Sequence, residues 1–203
     1  MNRITFMVLA TGLTLAACNE ASEQRAENAA GSVAATAEAA GDRVENAADN
    51  ALAAITPTPS AQEFVNKAAK SDAFEIAAAK LAATNAASAE VKAFAQQMIK
   101  AHTDSSAKVK AAAGKAKPAI TLDAALTADQ KEELAELKAL TGAKFDEEYI
   151  DGQVDAHEDA LALMRSYASG GTDAGLKTAA GEIASVVEGH LKMARDLEAK
   201  TDR

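Results

Sequence analysis

The stretch VKAFAQQMIKAHTDSSAKV (residues 91–109) decides the fold of this chain. Its apolar residues follow the period of an α-helix, which brings them onto one face together with a single histidine. The positions on this face are Val91, Phe94, Ala95, Met98, His102 and Val109. The stretch therefore predicts an amphipathic helix that buries one face, with a histidine on the buried side.

The same period recurs three more times between residues 60 and 203 and predicts four long helices in all. Ser60 followed by Glu63 is a capping box, which places the start of the first helix. Thr127 followed by Gln130 is a second capping box, and it predicts a short helix inside the long link between the second and third long helices. We therefore predict an all-α four-helix bundle with a crossover segment that contains a short helix.

The composition excludes other classes of protein. Only 3% of the residues are aromatic and 54 of the 203 are alanine, so the aromatic and β-branched residues that strands favour are too scarce for an all-β fold. A single cysteine excludes an internal disulfide framework. The net charge of -9 argues against nucleic-acid binding, because that function requires a basic face.

The first eighteen residues resemble a bacterial lipoprotein signal. Arg3 gives the positive start, and the apolar segment from Ile4 to Leu15 is too short to span a bilayer. Leu15-Ala16-Ala17-Cys18 resembles the lipoprotein box, in which the peptide is cut before the cysteine and the cysteine is acylated. The alternative is an ordinary secretory signal that ends near a chance cysteine.

From this resemblance we expect cleavage between Ala17 and Cys18 and fatty-acid chains such as palmitate on Cys18. Several acyl chains would anchor the protein stably to a membrane. Asn19, rather than aspartate, follows the cysteine and favours the outer membrane, with the protein facing the periplasm. The predicted domains are a signal peptide (1–17), a lipidated tether (18–59) and a helical bundle (60–203).

The predicted tether is rich in alanine and has an eleven-residue period, marked by Glu27, Glu38 and Asp49. That period keeps a thin apolar stripe on one face of a helix, but alanine methyl groups bury little area. We therefore expect a marginal helix that ends at Pro57 and Pro59, where proline removes an amide donor. A solvated tether is the simpler interpretation, and a stalk that binds an envelope protein or polymer is the alternative.

Several residues of the bundle together form the signature of a known family. They are the run Phe64-Val65-Asn66-Lys67-Ala68-Ala69, Glu75, the run 91–98 with His102, the pair Phe145-Asp146, Tyr149, His157 and the pair His190-Leu191. Over about residues 60–198 the chain resembles the ferritin-like domain of unknown function (4142) found in bacterial outer-membrane proteins. The resemblance implies a ferritin-like bundle in the cell envelope and implies no reaction. One departure is Ala101, because the family usually has aspartate just before the histidine of the second helix.

Four polar residues on the apolar faces are the candidate site. The chain has three histidines, His102, His157 and His190, one on each of the last three long helices. Glu75 lies on the first, on the same apolar face as Ser71. Counted from the turns that join the helices, all four lie near the middle of the bundle. Neutral imidazoles with one carboxylate suit Zn, Cu or Fe(II), so a transition-metal site is one interpretation.

The other interpretation, which we expect, is a structural network in which Glu75, the histidines and a neighbour such as Gln153 satisfy one another without metal. The ligand set of a ferritin-type di-iron centre is absent, since the residues three before the histidines are Ile99, Val154 and Val187 instead of glutamate. A ferritin-type oxidoreductase is a third hypothesis that rests only on the resemblance in fold. We assign no catalytic residue. The sequence favours a non-enzymatic envelope lipoprotein with a structural, interaction or stress-related role, and a periplasmic metal-binding module is the alternative.

Overall fold

The computed structural model describes residues 58–201, and this part of the chain is helical with no strand. The all-α prediction is confirmed. The helices are α1 (Ala61–Asn85), α2 (Ala89–Lys115), α3 (Ala128–Ala139), α4 (Ala143–Gly170) and α5 (Ala174–Thr201). The predicted signal peptide, Cys18 and the tether up to residue 57 lie outside the described residues. None of these five helices has a stretch that is both long and apolar enough to cross a membrane.

Side-chain caps begin the helices where the sequence predicts. Both capping boxes are present: the Ser60 backbone N–H donates to Glu63 Oε2 at 2.9 Å, and the Thr127 backbone N–H donates to Gln130 Oε1 at 3.0 Å. Asp173 Oδ1 accepts a hydrogen bond from the backbone N–H of Leu176 at 2.9 Å and caps α5. These side chains satisfy amide groups that have no partner within the helix.

The four long helices pack around one core. The α1–α2 and α4–α5 pairs form the most extensive contacts, α2 also packs on α5, α1 packs on α4, and the short helix α3 lies against α1. Alanine supplies much of the buried surface, which lets neighbouring helices approach closely. The long link from α2 to α4, residues 116–142, contains the short helix α3, as the sequence predicts.

The few aromatic residues lie on either side of the middle of the bundle. The rings of Phe64 and Tyr167 stack with their centroids 4.0 Å apart. Tyr149 stacks on Phe145 at 5.6 Å and meets Phe94 edge to face at 6.3 Å. On α4, position 157 lies between these two aromatic groups, about 12 Å along the axis from Tyr149 and about 15 Å from Tyr167. The middle of the core is therefore left to smaller and more polar side chains.

Asp146, which is buried in the first turn of α4, links this helix to the turn between α1 and α2. Its carboxylate accepts hydrogen bonds from the backbone N–H groups of Ala87 at 3.0 Å and Ser88 at 2.8 Å. In the same region Gly142, whose φ is +70°, donates its N–H to Asn85 O at 2.8 Å. These bonds dock the α1–α2 turn onto the α3–α4 turn.

We expect Asp146→Ala to destabilise the protein by about 1–3 kcal/mol, because two backbone N–H groups lose their acceptor in a partly buried turn. Urea denaturation of the full chain measures the loss. Glu147→Ala, one residue further along and exposed, is the matched control and should change stability by about 0.5 kcal/mol or less. Equal effects of the two substitutions would contradict the role assigned to Asp146.

Candidate metal centre

Three histidines from three helices meet in the middle of the bundle. His102 on α2, His157 on α4 and His190 on α5 are all buried. Their ring centroids are 5.5 Å apart for His102 and His157, 5.6 Å for His157 and His190, and 6.1 Å for His102 and His190. Each ring offers one nitrogen, and these three nitrogens lie within 4.8 Å of one another. We refer to these residues as the histidine triad.

His102 is oriented by a carboxylate on α1. Its Nδ1 lies 2.8 Å from Asp72 Oδ1, and Asp72 Oδ2 accepts a second hydrogen bond from Ser106 Oγ at 3.0 Å. Burial alone would lower the pKa of His102, but the hydrogen bond to Asp72 and the charges of Glu75 and Asp72 raise it above the ordinary value. The carboxylate accepts a hydrogen bond from the Nδ1–H group of His102. Nε2 is then the ring atom that can bind a metal.

His157 is oriented by the main chain of its own helix. Its Nδ1 lies 2.8 Å from the carbonyl oxygen of Gln153. Because a carbonyl can only accept, Nδ1 carries the proton. Burial and the neighbouring His102 lower the pKa of His157 to about 3, so the ring is neutral at ordinary pH. A neutral ring protonated at Nδ1 has a free lone pair on Nε2, which is the form that binds metal ions.

The triad contains ring nitrogens that no protein group satisfies. The unpartnered buried atoms are His102 Nε2, His157 Nε2 and His190 Nδ1. Burial and His102 lower the pKa of His190 to about 4, so this ring too is neutral at ordinary pH. Buried polar atoms are rarely without a hydrogen-bond partner, and each specific exception indicates a missing ion, water or functional role. Three such exceptions occur here, one in each ring.

The spacing suits a single transition-metal ion. Nitrogens bound tetrahedrally at about 2.0–2.1 Å from zinc are about 3.4 Å apart. The three nitrogens, which lie within 4.8 Å of one another, need to approach by about 1.4 Å at most. Small rotations of the rings are enough for that movement. The hydrogen bonds to Asp72 and Gln153 hold two of the rings near the required orientation.

Glu75 is not one of the residues that bring a ligand atom to the triad. It belongs to a neighbouring group of buried polar residues that also contains Gln153 and Tyr149. Glu75 Oε2 accepts a hydrogen bond of 2.5 Å from Gln153 Nε2. Burial raises the pKa of Glu75 to about 7, although the charge of His102 and the Gln153 hydrogen bond oppose the shift. Glu75 Oε1, Gln153 Oε1 and the Tyr149 hydroxyl are buried there without a partner. Gln153 joins the two groups, since its side chain binds Glu75 and its carbonyl binds His157.

The sequence predicted most of this arrangement but missed one residue. It placed Glu75 and all three histidines inside the bundle, where the structure has them. The structural network we expected is found only in part, because no hydrogen bond joins the histidines to one another or to Glu75 within the described residues. Sequence analysis missed Asp72. It placed Ser71 on the buried face, whereas Asp72 is buried and Ser71 only half-buried. A signal was present: Asp72 lies four residues after Ala68 and three before Glu75, on the same helical face.

Comparison with known proteins supports the family suggested by the sequence. A family model described as "Domain of unknown function (DUF4142)" matches residues 44–197. The chain belongs to this family. The DUF4142 match begins inside the segment predicted as a tether, which lies outside the described residues up to residue 57. No curated protein and no solved structure matches the chain.

The buried carboxyl of Glu75 makes stability depend on pH. In the unfolded chain Glu75 ionises near pH 4.5, and in the folded chain it ionises near pH 7. The folded state binds more protons between these values, so the stability it contributes is present below pH 4.5 and is lost as the pH rises through 7.

We therefore expect Glu75→Gln to become stabilising relative to the natural chain as the pH rises from about 5 to about 8, by up to about 3 kcal/mol. Urea denaturation of the full chain with a chelator, repeated across this range, measures the difference. The exposed Glu132→Gln is the matched control and should show no such pH dependence. If the Glu75→Gln difference is the same at both ends of the range, the raised pKa assigned to Glu75 is wrong.

Proposed function

We propose that this DUF4142 domain binds one transition-metal ion through His102, His157 and His190. The observation that carries the proposal is that three buried rings bring one nitrogen each within 4.8 Å of one another, and that each ring has a buried nitrogen without a hydrogen-bond partner. Leaving a buried polar group unsatisfied costs about 1–3 kcal/mol, so three at one point make an expensive arrangement for a purely structural network. A bound ion removes that cost by coordinating all three nitrogens.

The surroundings of the triad support metal binding over a structural role. Metal-bound histidines ordinarily donate their second ring N–H to a carboxylate or a backbone carbonyl. His102 and Asp72 form the first kind of pair, and His157 and Gln153 form the second. A network that served only to hold the helices together would direct the remaining nitrogens at each other or at Glu75, and they have no such partners.

The ligand set favours certain metals. Neutral imidazole suits Zn(II), Cu(II), Ni(II) and Fe(II), whereas Mg(II) and Ca(II) require oxygen ligands. Three protein ligands with the fourth position open is the pattern of reactive zinc sites, since purely structural sites use four. A single ion with three nitrogen ligands also differs from a carboxylate-rich di-iron centre. We assign no reaction and no catalytic residue to this site.

We also propose that the domain is a ferritin-like four-helix bundle held in the bacterial envelope. The long link that contains α3 and joins α2 to α4 supports the ferritin-like topology. The apolar segment before Cys18 and the Leu15–Cys18 motif support lipid anchoring to the outer membrane, facing the periplasm. In that place the domain would meet metal ions that enter the periplasm.

Metal binding is tested on the full chain, purified without a metal-binding tag. We expect one Zn(II) or Co(II) per chain by calorimetry, and a stabilisation of about 2.7 kcal/mol at a hundredfold excess over Kd. His102→Leu, His157→Leu and His190→Leu should each abolish this stabilisation. Asp72→Asn should weaken binding by about 10–100-fold, because it removes the carboxylate that orients His102.

Asp104→Asn is the matched control for Asp72→Asn, since it removes an exposed carboxylate on α2 that pairs with Lys100. It should leave metal affinity unchanged. The proposal fails if no tested metal, including Cu(II), Ni(II) and Fe(II), raises the melting temperature. A loss of stability in metal-free His157→Leu would then assign the triad to a structural network.

Envelope anchoring is tested by Cys18→Ser in a bacterial host that processes lipoproteins. We expect the natural chain to incorporate labelled palmitate and to fractionate with the outer membrane. Cys18→Ser should lose both properties, because serine lacks the thiol that is acylated. If Cys18→Ser is still labelled and membrane-bound, the lipoprotein box is not the anchor.

A further inference from the structure

A cavity of about 420 Å³ opens beside the histidine triad. His102 and His190 line it, and so does Asp72 behind His102. Most of the remaining wall is apolar and comes from the four long helices; its larger side chains are Leu163, Met164, Ile183, Val186 and Val187. Its size and its mostly apolar wall with a few polar groups are typical of sites for small molecules.

The cavity borders two of the three rings of the triad. His102 and His190 are part of its wall, whereas His157 is not. An ion held by all three rings would therefore lie next to the cavity. This conclusion rests on the metal site proposed above.

Two further features indicate what kind of ligand the cavity takes. Ser105 lies three residues after His102 on the same face of α2, lines the cavity and has a buried hydroxyl without a partner. At the outer part of the cavity, Val186 is 48% exposed and is the one large apolar side chain that is exposed within residues 58–201. The Ser105 hydroxyl can donate a hydrogen bond to a polar head group, and the apolar opening at Val186 can contact an apolar chain. A ligand with both parts would therefore fit the cavity.

The charge of the site favours an anion. Three neutral imidazoles leave the full charge of a divalent ion in place, and Asp72 is the carboxylate that contacts the triad. Asp72 alone does not balance the two charges of a divalent ion, and the site can therefore accept a monoanion. Lys100, Lys108 and Asp104 also line the cavity; Lys100 pairs with Asp104 and Lys108 with Glu182, each at 2.6 Å.

We propose that the cavity binds a small monocarboxylate with an apolar chain. One carboxylate oxygen completes the coordination of the metal, and the other accepts a hydrogen bond from Ser105. The chain lies along the wall formed by α4 and α5 and points toward Val186.

The test uses the full chain loaded with Co(II), whose visible absorption reports changes in coordination. Octanoate and acetate share the head group and differ in the chain. We expect both to change the Co(II) spectrum and octanoate to bind at least about tenfold more tightly, because burial of only two of its additional methylene groups is enough for that ratio. With a chelator in place of Co(II), octanoate binding should weaken at least tenfold.

Two matched substitutions on α4 place a phenyl ring inside or outside the cavity. Ala160→Phe fills the cavity and should reduce octanoate affinity to that of acetate while the Co(II) affinity is kept. Ala162 lies on the same helix but lines a different groove and not this cavity. Ala162→Phe should therefore leave both affinities unchanged. Val186→Asp, at an exposed position that tolerates substitution, should also weaken octanoate binding. The new carboxylate repels the negative charge of octanoate and removes an apolar contact with its chain.

The outcomes separate this inference from the proposed function. If neither Co(II) nor any other tested metal binds, both fail. If Co(II) binds but octanoate has no advantage over acetate, or if Ala160→Phe and Val186→Asp leave octanoate affinity unchanged, the metal site stands and the carboxylate site is wrong. Octanoate that binds equally well to the metal-free chain, without changing the Co(II) spectrum, also overturns the inference.

Discussion

The hydrogen bond between His102 and Asp72 is the interaction on which the centre of this bundle depends. It lies between α1 and α2 in a buried layer, where a charged carboxylate without a partner would be costly. By satisfying Asp72, His102 directs its other ring nitrogen toward His157 and His190. The bond thus offsets the free-energy cost of burying the Asp72 carboxylate, and it also orients the His102 ring within the triad.

The alanine-rich core makes room for this polar layer. Aromatic rings fill the bundle on both sides, at Phe145 and Tyr149 and at Phe64 and Tyr167, while small side chains line the contacts between helices. The three imidazoles lie between these two aromatic groups. Gln153 closes the layer on the Glu75 side, so the accessible face of the triad is the one that opens on the cavity.

The sequence predicts features that depend on local spacing and misses those that depend on how helices rotate against each other. The capping boxes at Ser60 and Thr127 involve residues three apart, and the structure has both. The pairing of Asp72 with His102 joins residues 30 positions apart. Because adjacent residues on a helix differ by about 100° in direction, placing Ser71 on the buried face instead of Asp72 was enough to miss it. The contacts of Asp146 were missed for the same reason, since its partners are backbone groups of a distant turn.

The distribution of the triad over the fold would tie the proposed metal binding to folding. His102, His157 and His190 come from α2, α4 and α5, and Asp72 adds α1, so no pair of neighbouring helices contains the whole site. Such a site exists only after all four long helices have assembled, and the free energy of metal binding therefore adds to the free energy of folding. This coupling matters in a core in which 13 of the 32 buried apolar residues within the described part of the chain are alanine, whose methyl groups bury little apolar surface.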